Sequence, residues 1–269
     1  MATTEVSAEG VKNIIKELGY EVLKDAEDVF TIAGSSGIRI ICAVEESILN
    51  VTVPLKEIAL GAVDMVTDTA RRIGAINTII VGGDGELTGD NTDAYGFLAN
   101  IQSALPAWRA ADGVHVVLGA GGAARAVIVA LIDGGAETVR VVNRTRARAE
   151  ALAEEIDGPV EVVDWASRHA ALTDAATLVN TTTLGMVGKQ PLDLALDALP
   201  PRAAVNDIVY TPLRTDLLAG AEARGNPVVD GLGMLLHQAR PGFEHWFGVA
   251  PEVTSALRSF VLDGIGGSG

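Results

Sequence analysis

The strongest constraint on this fold is one short passage: the apolar run Val114-His115-Val116-Val117-Leu118 passes directly into Gly119-Ala120-Gly121-Gly122-Ala123-Ala124, and then into an aliphatic stretch that ends at Asp133. A strand-length run, a glycine turn and a helix-length segment in that order make half of a βαβ unit. The glycines satisfy G-x-G-x-x-[G/A], with Ala124 in the third place. Around them the pattern repeats. Apolar periodicity predicts helices over 94–105, 123–133 and 145–156, and strands over 114–118, 139–142, 160–163, 178–180, 204–207 and 227–230. Sustained alternation of this kind predicts a parallel, doubly wound α/β sheet, because parallel neighbours need a crossover long enough to hold a helix.

In that setting each glycine has a chemical use. Gly119 permits the tight turn and Gly121 lets the backbone approach a pyrophosphate, while Ala120, Gly122 and Ala123 carry the chain into the helix. The free N–H groups and positive dipole of that helix end favour an anion. Glycine-rich strand–helix turns also occur for packing alone; the βαβ context favours a dinucleotide. The following strand ends in Asn143-Arg144-Thr145-Arg146-Ala147-Arg148. An NAD site normally places Asp or Glu there for the ribose 2′-hydroxyl. Asn143, Arg144, Thr145 and Arg148 suit a 2′-phosphate instead, since arginine forks match phosphate geometry. The expected cofactor is therefore NADP. The competing reading, a solvated basic turn, is disfavoured in a chain whose formal net charge is −15.

That charge argues against nucleic acid or an anionic membrane as partner, since both demand a basic face. A single cysteine, Cys42, gives no intramolecular disulfide and no multi-cysteine metal site. The stretch 1–10 is polar and acidic, unlike a secretory signal. The apolar run 114–136 carries His115, Arg125, Asp133 and several glycines, which argues against a bilayer span. These features point to the cytoplasm; a small-molecule substrate and a monomer or homodimer are the expected partner and assembly. The four histidines are scattered and read as structural, and no metal is expected.

The first hundred residues read differently. A helix is expected over 11–18 and strands over 20–23, 29–32, 38–44 and 50–54, the last ended by Pro54. A helix over 58–73, a strand over 76–81 and a turn at 82–85 follow. Late in the chain, 232–246 and 252–262 read as helices, and the glycine-rich 264–269 as a flexible end. We expect a Rossmann-like NADP domain over 101–235 and a second α/β domain for substrate over 1–100, completed by 236–269.

Three polar segments precede the nucleotide region: Asn50-Val51-Thr52-Val53-Pro54-Leu55-Lys56, Gly74-Ala75-Ile76-Asn77-Thr78, and Asn91-Thr92-Asp93-Ala94-Tyr95-Gly96-Phe97. Taken singly, Asp93 reads as a helix N-cap and Lys56 as a surface lysine. In order they match N-V-T-x-P-x-K, G-A-x-N-T and N-T-D-x-x-G-F. Further matches are Val179-Asn180-Thr181-Thr182-Thr183-Leu184-Gly185-Met186, Asp207-Ile208-Val209-Tyr210, and Asp230-Gly231-Leu232-Gly233-Met234 running to Gln238-Ala239. With the glycine turn and basic turn these motifs span residues 50–250, and over that span the chain resembles the shikimate dehydrogenase family.

The resemblance implies reversible reduction of 3-dehydroshikimate to shikimate with NADPH, in aromatic amino-acid biosynthesis. It makes Lys56 the general acid/base and Asp93 its hydrogen-bonded partner. A nearby carboxylate keeps a lysine positioned and charged. Thr52, Asn77 and Gln238 would bind ring hydroxyls, and Tyr210 would sit at the substrate's edge. Ile208, Gly231 and Met234 would flank the nicotinamide, and Asp68 stands where some family members contact cofactor.

The family normally begins with S-x-S-P followed by H-N, whose serines hold the substrate carboxylate. Residues 1–49 contain neither motif, and Ser35 and Ser36 are adjacent. Three readings follow. Arg39, Ser35 or Ser36 supplies a replacement anion site; or the chain folds and binds substrate poorly; or it is a non-catalytic relative that binds NADP as a sensor or partner-binding protein. Within enzymes, an NAD-using quinate/shikimate dehydrogenase is the rival, which the arginines disfavour.

Overall fold

The computed structural model describes residues 21–26, 29–33, 39–43, 48–51, 55–82 and 85–266. The chain divides into two compact units, residues 1–92 with 241–250 and residues 93–240 with 251–269. Within the second unit, Arg240 Nε donates to the Pro251 carbonyl at 2.6 Å, and Arg258 bonds the Asp230 carboxylate.

In the first unit, strands β1 (Glu21–Ala26), β2 (Val29–Ala33) and β3 (Arg39–Ala43) form an antiparallel meander, as the strand pattern predicts. The helix expected over 11–18 lies outside the described residues. A second sheet has the order β4-β6-β7-β5, built from β4 (Ile48–Asn50), β5 (Met65–Val66), β6 (Thr78–Val81) and β7 (Leu87–Asp90). Of the strand expected over 50–54, Asn50 closes β4, while 52–54, Thr52 among them, lie outside the described residues.

The single helix expected over 58–73 is not formed. A 3₁₀ turn at Ile58–Ala62 is followed by β5 and then by α1 (Asp68–Ile73). Sheet pairing takes the backbone groups that a helix would use. Asp64 N–H donates to Leu87 O at 2.9 Å, and Thr67 N–H to Gly89 O at 3.0 Å. Thr67 then caps α1 by accepting from Ala70 N–H, while its hydroxyl donates to Asp90 Oδ1. The apolar period that suggested one helix is spent on a small core of Ala59, Ala70 and Ile76, with Leu60, Val63 and Val66 packed against it.

The second unit is the α/β layer structure that sequence alternation predicts. Helix α2 (Asp93–Ala104) leads into β8 (Val114–Leu118), α3 (Gly122–Asp133), β9 (Thr138–Asn143), α4 (Arg146–Glu155) and β10 (Val160–Asp164). Strands β11 (Ala175–Asn180), β12 (Ala204–Asp207) and β13 (Val228–Val229) complete a six-stranded parallel sheet ordered β10-β9-β8-β11-β12-β13. Helix α5 (Asp216–Ala223), which sequence reading did not identify, precedes β13. Helices α6 (Gly231–Phe247) and α7 (Ser255–Gly266) follow it, and α7 runs into the stretch read as a flexible end.

From β8 the chain winds outward through β9 and β10, then returns to place β11 on the other side of β8. This is the switch point where doubly wound sheets receive ligands. Register brings the strand ends level there: Leu118 pairs with Val142 and with Asn180, and Asn180 pairs with Asp207. Residues Ala124–Leu131 of α3 are all buried, as a helix covering the centre of such a sheet requires. Among the described residues no helix is long and apolar enough to cross a membrane, and no cluster of potential metal ligands occurs.

Candidate functional site

At the end of β8 the chain turns through Gly119 with φ +113°, a conformation that residues bearing a Cβ rarely adopt. A Cβ there would also come within 2.6 Å of Thr181 Oγ1, which donates to Leu118 O. Gly119 is therefore fixed by the protein itself. Gly121 is not: a Cβ on it would meet nothing within 4 Å. Packing does not select this glycine, and the open space lies at the N-terminus of the 12-residue α3, whose first turn carries no acidic residue. Gly122 and Ala123 begin that turn, and Ala120 is buried. Free backbone donors, a positive dipole and open space together fit a pyrophosphate.

The basic turn follows β9, next to this cradle in the sheet. The structure separates its three arginines. Arg146 is occupied, donating to Glu150 at 2.7 Å and to Asp164 at 2.8 Å. Arg144 and Arg148 are exposed and have no hydrogen-bond or ion-pair partner among the described residues. Asn143 Nδ2 donates to the Thr145 carbonyl, which shapes the turn. Thr145 is the N-cap of α4, yet its hydroxyl makes no capping bond. Two free guanidinium groups and an unused hydroxyl beside a dinucleotide turn fit a 2′-phosphate.

On the other side of β8, the strand ends are held by a polar network. Asn180 Nδ2 donates to Asp207 Oδ1 at 3.0 Å, and Asn180 Oδ1 accepts from the N–H and hydroxyl of Thr182. Asp207 Oδ1 also accepts from Val209 N–H, and Oδ2 from the Thr215 hydroxyl at 2.7 Å. Burial pushes the Asp207 carboxyl from 3.8 up to about 6, against the opposing pull of these hydrogen bonds. Because the folded value lies above the ordinary one, this group lowers stability above pH 6. That cost disappears as pH falls below 3.8. The sequence carries Asn180 and Asp207 at two expected strand ends and inside family motifs, without a role for either; their polar types at those strand ends are the available signal, and Thr215 has none.

Ile208 and Gly231 are brought together. A Cβ on Gly231 would lie 2.1 Å from the Ile208 carbonyl oxygen, so only glycine fits. We expect Gly231→Ala to cost about 1–3 kcal/mol through overpacking, read as a lowered thermal midpoint. An unchanged midpoint would mean that the contact relaxes freely. Asp230 anchors this helix start, accepting from Leu232 N–H at 3.0 Å, while Asn100 Nδ2 donates to its carbonyl. One turn along α6, Met234 is buried. Its carbonyl and Gln238 close on Gly96 of α2, where a Cβ would come within 2.9 Å of either. Gln238 and Tyr210 are half-buried.

In the first unit, Asn77 is the centre of a buried cluster. It donates to Thr92 Oγ1 at 2.9 Å, and its Oδ1 accepts from Thr92 N–H and the Thr78 hydroxyl. Ile76 N–H donates to the Lys56 carbonyl at 2.8 Å, which places Lys56 beside this cluster. Lys56 is only 9% exposed, so it is not the solvated surface lysine that it resembles in isolation. Asp93 is 1% exposed and is the first residue of α2 rather than its cap. Asp68 is exposed in the first turn of α1, where an acidic side chain also complements the helix dipole. Among the histidines, His115 is buried with Nε2 at 2.7 Å from Ala110 O, and burial lowers its pKa. His169 Nδ1 accepts from Ala195 N–H. Both contacts are structural.

Known proteins resemble this chain in sequence and fold. Residues 5–79 match the shikimate dehydrogenase substrate binding domain, 103–186 the shikimate/quinate 5-dehydrogenase domain, and 231–258 the shikimate 5′-dehydrogenase C-terminal domain. The first match begins inside the segment where no family motif was found. A shikimate dehydrogenase (NADP(+)) of Paramagnetospirillum magneticum is 60% identical over 213 residues, covering 79% of this chain and 77% of the relative. The structure of quinate dehydrogenase from Corynebacterium glutamicum in complex with NAD is 33% identical with a TM-score of 0.74, covering 80% of this chain and 77% of that one. Shikimate 5-dehydrogenase from Thermus thermophilus, in complex with NADP(H) and shikimate, is 41% identical with a TM-score of 0.67, covering 76% and 74%. Three consecutive domain matches, high identity over four-fifths of the sequence and a common fold agree with the site: this chain belongs to the shikimate dehydrogenase family.

Proposed function

We propose that this protein is an NADP-dependent shikimate dehydrogenase, which interconverts 3-dehydroshikimate and shikimate in the cytoplasm. The observation that carries the reading is the pair of exposed arginines, Arg144 and Arg148, which have no partner among the described residues and stand beside an open glycine cradle. The relative at 60% identity, named for the same cofactor and substrate, supports it.

NADP, when bound, supplies or accepts the hydride. Gly119 to Ala123 receive its pyrophosphate on the α3 N-terminus. Asn143, Arg144, Thr145 and Arg148 receive the 2′-phosphate. Ile208, Gly231 and Met234 shape the nicotinamide wall, and Asp68 is a further cofactor residue. Lys56 donates a proton to the substrate ketone oxygen during reduction and recovers it during oxidation. Asp93 acts as the carboxylate partner of that lysine. Thr52, Asn77 and Gln238 hold ring hydroxyls, and Tyr210 borders the ring. No metal takes part.

The direct test follows nicotinamide absorbance with shikimate and NADP. Turnover that needs both would bear the reading out, whereas NADP binding without turnover on shikimate would favour a non-catalytic relative. Cofactor choice has its own test. Arg144→Ala should weaken NADP about ten- to a hundredfold, since a charge-assisted bond is worth about 1.5–3 kcal/mol. NAD affinity should barely change, because NAD brings no phosphate to that turn. Equal weakening of both cofactors in titration calorimetry would remove Arg144 from this role.

A further inference from the structure

Asp207 ends β12 with no exposed surface, yet among the described residues no cation faces its carboxylate. The groups that meet it are the Asn180 amide, the Val209 N–H and the Thr215 hydroxyl, and none of them titrates. Burying a charge without a counter-charge is unfavourable, and its neighbours in the sheet core are aliphatic, Val205 and Leu178 among them. Sheet packing alone does not call for a carboxylate here.

The geometry of its bonds does. The three donors come from three different pieces of chain: the end of β11, the segment after β12, and the cap of α5. Asn180 extends the tie, because its Oδ1 holds Thr182 and its Nδ2 also donates to Leu184 O. Thr182 Oγ1 in turn accepts from Leu184 N–H. The Ile208 N–H donates to Asn180 O at 3.0 Å. One carboxylate therefore links the turn 181–185 to the segment 208–210, at the level edge of the sheet. Ile208 in that segment is also the residue pressed against Gly231.

We propose that Asp207 is a positioning residue: through Asn180 and the Val209 N–H it fixes the 181–185 turn and Ile208–Tyr210 against each other, and so shapes the wall that receives the nicotinamide end of the cofactor. This rests on the assignment of Ile208 and Gly231 to the nicotinamide made above. A carboxylate suits the task because it accepts from all three donors at once. An amide in its place presents one N–H₂ group toward donors and loosens the tie.

The test compares two ligands on the full chain by calorimetry: NADP, and 2′-phospho-ADP-ribose, which is the same molecule without nicotinamide. In Asp207→Asn, NADP should bind about tenfold more weakly while the fragment stays within about twofold, as loss of one end's contacts requires. A structural defect would weaken both ligands together. Equal weakening, or no change in either, overturns the proposal. Should Asp207→Asn fail to fold, Thr215→Val removes a single donor. It should lower the NADP-to-fragment affinity ratio about threefold, with recovery in Thr215→Ser, which keeps the hydroxyl. An unchanged ratio in Thr215→Val overturns the proposal equally. The comparison needs no turnover, so a wild type inactive on shikimate would remove the proposed reaction and leave this result readable.

Discussion

Replacing Lys56 with alanine should lower kcat for shikimate oxidation by about 10²–10⁴, the usual worth of a positioned acid/base, with a smaller change in KM. The structure strengthens this expectation beyond the motif. A lysine 9% exposed beside the Asn77 cluster has given up solvation that an ordinary surface lysine keeps. A residue needed only for ground-state binding would raise KM and spare kcat, so steady-state kinetics decide the role. A kcat within a few-fold of wild type would make Lys56 a binding or packing residue. Asp93→Asn should also reduce kcat. The double variant should lose less than the product of the single effects, because a lysine and the carboxylate that orients it act as one unit.

The second large effect concerns the substrate carboxylate. The family's S-x-S-P and H-N motifs are absent from this sequence. A carboxylate deprived of two hydroxyl donors loses two charge-assisted bonds of about 1.5–3 kcal/mol each, so KM for shikimate should stand at least about a hundredfold above that of family members. The glycine cradle and the basic turn use none of those residues. NADP affinity should therefore remain ordinary, and parallel measurement of Kd for NADP and KM for shikimate separates the two. A KM in the family range would show that Ser35, Ser36 or Arg39 supplies the anion site, and replacing the three together should then raise KM. Ser35 and Ser36 lie outside the described residues. Arg39 opens β3.

The sequence by itself determined what depends on neighbours in the chain. Strand, glycine turn and helix over 114–133 are legible because turn conformation, helix dipole and apolar period are local properties. The doubly wound sheet follows, since the repeated alternation admits few other topologies. Local pattern failed where pairing partners lie far apart. Residues 58–73 carry a helical period, but Asp64 and Thr67 bond to the strand over Leu87–Asp90, and distant hydrogen bonds outweighed propensity.

For the site, the residue types were legible and their states were not. The sequence shows three arginines after β9, and only the fold shows that Arg146 is held by Glu150 and Asp164 while Arg144 and Arg148 have no partner among the described residues. It shows a lysine at 56 and cannot show that it is buried. It shows Asn180 and Asp207 at two strand ends, 27 residues apart, and only parallel register makes them partners. Gly231 reads as one more glycine until the fold brings the Ile208 carbonyl to 2.1 Å from where its Cβ would stand. Burial, charge pairing and close approach are set by which chain segments meet. That is a property of long-range packing, which no window of sequence contains.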